Sequence, residues 1–195
     1  MLSQSKHLIE KYLNPFVGLF KNVSPNLLTV LGSIPSLLFF VFVIKGFYIA
    51  ALIAFVGTAF DMIDGLVARK YNKVTKLGGL LDSTFDRVSD FFIMAAFGFG
   101  GLVRWEIVAP VLLTSFLISY VRARAEQASN NISLDLGIME RTERLIVAVF
   151  ALLAYMVLPE TKIIGLNMAE GVFLILFVLS FYTVIQRLVF AYKHL

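Results

Sequence analysis

Apolar residues fill long blocks of this chain, and short polar connections separate them. A helix that crosses hydrocarbon needs roughly 20 mainly apolar residues. On that pattern six spans are predicted, over 26–44, 46–68, 79–102, 106–122, 144–158 and 171–191. Ahead of them Leu2, Ile9, Leu13, Phe16, Val17 and Phe20 recur at helical spacing with lysines between them. That spacing predicts an amphipathic helix over 1–22 lying on the membrane surface, with a frayed terminus as the alternative. Pro35 and Pro110 fall inside the first and fourth spans and predict kinks. No internal repeat is visible. The expected fold class is an all-α integral membrane protein, with six transmembrane helices and an N-terminal surface helix in a single membrane domain over 1–195.

Composition supports the membrane reading. Of the 195 residues 59% are hydrophobic and 15% charged, against about 45–50% and 25% in soluble domains, and mean hydropathy is +0.86. Cysteine is absent, which excludes disulfides and thiolate metal sites. The first residues lack the basic region, apolar core and cleavage site of a signal peptide. Charge sets the orientation. Lys45, Arg104 and Lys162 are the three basic residues in the loops of one side, while the other fourteen of the seventeen lie toward the opposite side. The positive-inside rule makes that second side cytoplasmic, with both termini there. Trp105 fits an outer interfacial anchor. No nucleic-acid partner is expected.

One stretch breaks the apolar pattern. "FDMIDGLVARKYNKVTKLGGLLDSTFDRVSD", Phe60 to Asp90, carries five aspartates at 61, 64, 82, 86 and 90. A carboxylate at mid-membrane costs about 2.5–3.5 kcal/mol on insertion scales, so four or five together cost on the order of 10 kcal/mol. On a continuous helix Gly57, Asp61, Asp64, Gly65 and Ala68 share one face, and Asp82, Asp86 and Asp90 form a stripe on the next helix. A short loop makes the two helices antiparallel neighbours. Four carboxylates from facing helices form an all-oxygen site suited to Mg²⁺ or Mn²⁺. A pair of ions about 3.5–4 Å apart would clamp phosphates in a displacement reaction. Gly65 and Ala68 leave open helix surface for a bulky ligand, and Arg69 can pair with a phosphate. The structural alternatives are pairing of the aspartates with Arg69, Arg87 and loop lysines, and glycines that serve helix packing. For Asp90, pairing with Arg87 at i, i+3 is the favoured reading.

The segment Asp61-x-x-Asp64-Gly65-x-x-Ala68-Arg69, eight residues, then Gly78-x-x-x-Asp82-x-x-x-Asp86 matches all eight fixed positions of the CDP-alcohol phosphotransferase motif. The chain is therefore identified as resembling that family, whose members are six-helix membrane enzymes, usually homodimers. The resemblance implies that Asp61 and Asp82 bridge two Mg²⁺ ions, with Mn²⁺ a possible substitute. It implies that Asp64 holds one ion, and that Asp86 holds the other and acts as general base. It also implies that Gly65, Ala68, Arg69 and Thr75 meet the CDP-lipid. The turn "SPNLLT" resembles the nucleotide-contacting turn and adds Asn26 and Thr29, although Asn26 stands where relatives are expected to carry aspartate. The implied reaction is attack of an acceptor hydroxyl on the β-phosphorus of a CDP-lipid, which releases CMP.

The acceptor is read from "SYVRARAEQASNNISLDLGIMERTERL" and the end of the last span. Arg122, Arg144 and Arg187 stand at one membrane level on three helices and suit a dianionic phosphate, while singly each also suits a positive-inside anchor. With "RARAE" and "ERTERL" they resemble the phosphatidylinositol-phosphate synthase branch and its archaetidylinositol-phosphate counterparts. That branch implies inositol 1-phosphate as acceptor and CDP-diacylglycerol or CDP-archaeol as donor. The branch is expected to carry lysine at Arg122 and proline at Thr142, so the chain departs from it there. Glycerol 3-phosphate is the competing acceptor. A divalent-cation or proton-coupled transporter is the alternative class, and it would spread its acids through the membrane depth.

Overall fold

The computed structural model describes residues 17–129, 133–134 and 136–195. Most of the amphipathic segment expected over 1–22 therefore lies outside the described residues, and its end forms a short 3₁₀ turn, Gly18–Phe20. Among the described residues eight α-helices follow. They are α1 (Pro25–Gly32), α2 (Ile34–Ile44), α3 (Tyr48–Gly57), α4 (Met62–Lys70), α5 (Lys76–Phe99), α6 (Trp105–Ala128), α7 (Arg141–Val157) and α8 (Met168–His194).

Local chemistry sets most of the ends. Ser24 caps α1 by accepting from Leu27 N, and Pro25 occupies the position where a missing N–H costs nothing. The first span breaks at Ser33, ahead of Pro35, so it is two helices rather than one bent rod. The fourth span runs unbroken through Pro110. Thr75 caps α5, accepting from Gly78 N at 2.9 Å. Beyond α5, Gly101 takes φ +71, and Leu102 N closes on Phe97 O at 2.9 Å. Asn167 and Glu170 form a reciprocal capping box on α8.

Two features depart from the sequence expectation, and a third bears on the span count. The second span is not one continuous α-helix: Thr58–Asp61 tightens into a 3₁₀ turn between α3 and α4. Gly57 is thereby removed from the aspartate face, and a Cβ there would meet Pro35 at 3.2 Å instead. A small hairpin pairs β1 (Lys162–Ile163) with β2 (Leu166–Asn167) through Ile164 and Gly165, both at positive φ. Finally, among the described residues four segments are long and apolar enough to cross a membrane: Pro25–Ile44, Tyr48–Lys70, Trp105–Ala128 and Met168–His194. α5 carries Lys76, Asp82, Asp86, Arg87 and Asp90. α7 has 17 residues and opens on Arg141, Glu143 and Arg144.

The main core joins Phe39 and Val43 of α2, Ile93 and Phe97 of α5, Val108 of α6, Leu152 of α7 and Phe173 of α8. The outside is apolar too. Ile49, Ile53 and Val56 form an i, i+4, i+7 stripe on α3, each about 70% exposed: 70%, 70% and 71%. Such a stripe suits contact with lipid tails. Among the described residues the fold is all-helical apart from its hairpin, as suits a membrane protein.

Candidate active site

The two aspartate helices come together as their spacing requires. Asp61 ends the 3₁₀ turn, Asp64 lies one turn into α4, and both are buried. Asp82, Asp86 and Asp90 descend one face of α5, exposed at Asp82 and buried at Asp90. The charges of Asp61 and Asp82 act on both Asp64 and Asp86. The four motif carboxylates thus share one neighbourhood.

At its centre is a residue that the motif does not contain. Arg141, at the start of α7, places Nη1 2.6 Å from Asp86 Oδ1, Nη2 3.2 Å from Asp61 Oδ2 and Nε 3.0 Å from Asp90 Oδ1. Its guanidinium supplies part of the compensating charge, which the sequence reading assigned to metal, or alternatively to Arg69, Arg87 and loop lysines, but not to Arg141. Among the described residues no three carboxylate or imidazole groups converge on one point as a metal-ligand set. Arg141 stands between three of the acids.

The nucleotide-side residues gather at the same end. The Thr29 hydroxyl donates to the Asp64 carboxylate and lies 3.1 Å from Pro25 O, so Thr29 orients an acid. Asp64 also accepts from Gly65 N. Arg69 folds back over Gly65, where a Cβ would come 3.2 Å from its Nη1. A Cβ on Gly78 would meet Thr75 Oγ1 at 3.0 Å and Asn26 Oδ1 at 3.3 Å. Asn26, Thr75 and Gly78 therefore converge where α1 meets the start of α5. Ala68 is half-buried one turn beyond Asp64.

The three arginines stand on adjoining helical turns. Arg187 bonds Ile118 O, one turn before Arg122 on α6, and Arg144 bonds Met139, whose N–H donates to Thr183 Oγ1 one turn before Arg187 on α8. Arg187 is buried, donating from Nε to Leu136 O at 2.9 Å and from Nη1 to Ile118 O at 2.6 Å. Arg144 is 1% exposed and donates from Nη1 to Met139 O at 3.0 Å and from Nη2 to Asp90 Oδ2 at 2.9 Å. Its Nε is buried without a hydrogen-bond partner. Arg122 pairs with Glu126 at 3.0 Å, and Glu126 also accepts from Leu134 N at 3.1 Å.

The sequence model of CDP-alcohol phosphatidyltransferases matches residues 22–189, most of the chain. The chain belongs to that family. As a member of it, the chain is 41% identical over 174 residues to the archaetidylinositol phosphate synthase of Pyrococcus horikoshii, covering 89% of this chain and 86% of that one. Its fold resembles the crystal structure of Mycobacterium tuberculosis phosphatidylinositol phosphate synthase with CDP-DAG bound. The TM-score is 0.77 at 27% identity, covering 91% of this chain and 92% of that one. The same mycobacterial enzyme in complex with manganese and citrate gives a TM-score of 0.75 at 26% identity, covering 94% and 87%.

The residues of this family member fit a hard divalent cation by donor chemistry. All four motif groups are carboxylates, from the 3₁₀ turn, α4 and α5, and Asp86 Oδ1 is buried and accepts no aligned hydrogen bond despite its ion pair. One participant, Arg141, was missed in the sequence reading. The expected pairing of Asp90 with Arg87 is present at 3.7 Å, but Arg141 and Arg144 make shorter contacts with the same carboxylate. Arg141 was visible in "ERTER", but nothing in its spacing pointed back to aspartates 51 to 80 residues earlier.

Proposed function

We propose that this CDP-alcohol phosphatidyltransferase moves the phosphatidyl-type group of a CDP-lipid onto inositol 1-phosphate, with release of CMP. The observation that carries the acceptor is that Arg122, Arg144 and Arg187 stand on adjoining turns of three helices, with Arg144 bonded to Asp90 beside the aspartate cluster. Buried guanidiniums fixed by backbone carbonyls, as those of Arg144 and Arg187 are, are pre-organised for a phosphate dianion. The similarity to a synthase of archaetidylinositol phosphate supports the same acceptor and suits CDP-archaeol as donor. CDP-diacylglycerol is the other donor of the same class.

Asp61, Asp64, Asp82 and Asp86 would hold two Mg²⁺ ions, with Mn²⁺ as substitute, and the manganese complex of the mycobacterial relative supports a divalent ion. When bound, such ions withdraw charge from the pyrophosphate and stabilise the departing CMP. The chain's own groups do the rest. Thr29 fixes the rotamer of Asp64, and Arg69, which lies over Gly65, meets the CDP group together with Asn26 and Thr75 beside the small residues Gly65 and Ala68. Arg122, Arg144 and Arg187 hold the acceptor phosphate, which brings the acceptor hydroxyl to Asp86. Asp86 takes the hydroxyl proton as a new bond forms to the β-phosphorus and the bond to the CMP oxygen breaks.

Six membrane-crossing rods belong to this reading. α5 and α7 join the four apolar segments because their polar residues face the site rather than lipid. The active site and both termini lie on the cytoplasmic side, and two copies form a homodimer. The test is CMP release by purified protein given CDP-archaeol or CDP-diacylglycerol with a panel of acceptors. Inositol 1-phosphate should support turnover, and free inositol should not. Preference for glycerol 3-phosphate would reject the acceptor while leaving the family intact.

A further inference from the structure

Each oxygen of the buried Asp90 carboxylate serves a different arginine of α7. Oδ1 is 3.0 Å from Arg141 Nε, and Oδ2 is 2.9 Å from Arg144 Nη2. Arg141 continues to Asp86 and Asp61. Arg144 is pinned at its other terminal nitrogen by Met139 O. An unbroken run of ion pairs therefore leads from the motif carboxylates through Arg141 and Asp90 to Arg144.

We propose that Asp90 is a positioning residue for the phosphorylated acceptor, holding the Arg144 guanidinium in the orientation that binds its phosphate. The proposal rests on the assignment of Arg144 to that phosphate. A planar guanidinium held at two nitrogens has both its plane and its direction set. Arg144 is so held, by Asp90 and Met139, and its buried Nε keeps an N–H without a partner in the protein. Without the carboxylate, Arg141 and Arg144 would face each other one helical turn apart with no anion between them. Asp90 thus sets where the acceptor sits relative to Asp86, although it lies outside the eight motif positions and one turn deeper on α5. In-helix pairing with Arg87, at 3.7 Å, is too long to give it that orientation.

Steady-state kinetics on the purified full-length protein test this, with inositol 1-phosphate and the CDP-lipid varied separately at saturating Mg²⁺. Asp90→Asn should raise the KM for inositol 1-phosphate about tenfold, the loss common when a group orienting a ligand-binding side chain is removed. The KM for the CDP-lipid should stay unchanged, and kcat should fall less than the acceptor KM rises. The double variant with Arg144→Ala should be no worse in acceptor KM than Arg144→Ala alone, because the two act as one unit. Additive losses, or an unchanged acceptor KM in Asp90→Asn while Arg144→Ala raises it, would overturn the positioning role. An unchanged acceptor KM in Arg144→Ala would instead overturn the acceptor-site reading. If Asp90→Asn does not survive purification, Asp90→Glu carries the test: it keeps the charge, moves it by one methylene, and should still raise the acceptor KM. An unchanged value there would overturn the proposal equally.

Discussion

Gly32, the last residue of α1, lies against Asp61 so closely that a Cβ would stand 3.0 Å from Asp61 Oδ1 and 3.1 Å from its Cα. One of the two atoms is backbone, so a larger residue cannot be accommodated by a rotamer change alone. The helix end or the 3₁₀ turn has to move by a few tenths of an ångström, and with it the first motif carboxylate.

Gly32→Ala should therefore lower kcat/KM while leaving the protein folded. Alanine favours a helix over glycine by about 0.5–1 kcal/mol, whereas overpacking costs about 1–3 kcal/mol. The net effect on melting is small, and the displacement falls on Asp61. About tenfold loss of activity is expected, since misplacing a reacting group by even 1 Å can cost a hundredfold. Wild-type kcat/KM in Gly32→Ala would show that Asp61 tolerates the shift.

Chelation should abolish turnover, and Mg²⁺ or Mn²⁺ should restore it. Asp61 and Asp86 share the Arg141 guanidinium, and that one cation cannot offset both together with a pyrophosphate. Asp61→Asn or Asp82→Asn should abolish CMP release and weaken CDP-lipid binding together, read by titration with the lipid. Full activity in excess EDTA would reject a metal-dependent site.

Asp86→Asn should separate binding from chemistry. The amide keeps a ligating oxygen but cannot take the acceptor's proton, so CMP release should fall to background while appreciable CDP-lipid binding remains. Loss of binding and turnover in equal measure would make Asp86 a ligand only.

The aspartate neighbourhood was legible because the α4 and α5 stretches kept their 3.6-residue period, so spacing translated directly into a face. Gly57 was misplaced because the 3₁₀ turn at Thr58–Asp61 winds more tightly, and no residue type in "TAFD" announces that change. The pairing of Arg141 with Asp90 escaped for a different reason. It joins α5 to α7 across 51 residues, and hydropathy patterns carry no information on which polar side chains of separate helices meet. α6 ran on to Ala128, past the apolar limit at 122, because hydropathy marks the lipid boundary and not the end of a helix. The hairpin's Gly165 was a turn signal, but Ile164 at φ +53 was not foreseeable, since β-branched residues avoid that region.

Arg187 offers the sharpest view of the acceptor site. It is buried on α8, it bonds the backbone of α6 through Ile118 O, and it bonds the connection before α7 through Leu136 O. Two of its nitrogens are engaged by neutral carbonyls, so its charge is oriented but not neutralised by those bonds. A phosphate dianion nearby would gain charge-assisted bonds, roughly twice as strong as neutral ones. Arg187→Ala and Arg144→Ala should both raise the KM for inositol 1-phosphate strongly and leave the KM for the CDP-lipid nearly unchanged, because Arg69 and the aspartates serve that substrate. Arg122 is half-exposed and paired with Glu126, so Arg122→Lys should be tolerated better than Arg122→Ala: a point charge still meets a phosphate. A rise in the lipid KM that matches the acceptor KM in all three positions would place these arginines on the donor instead.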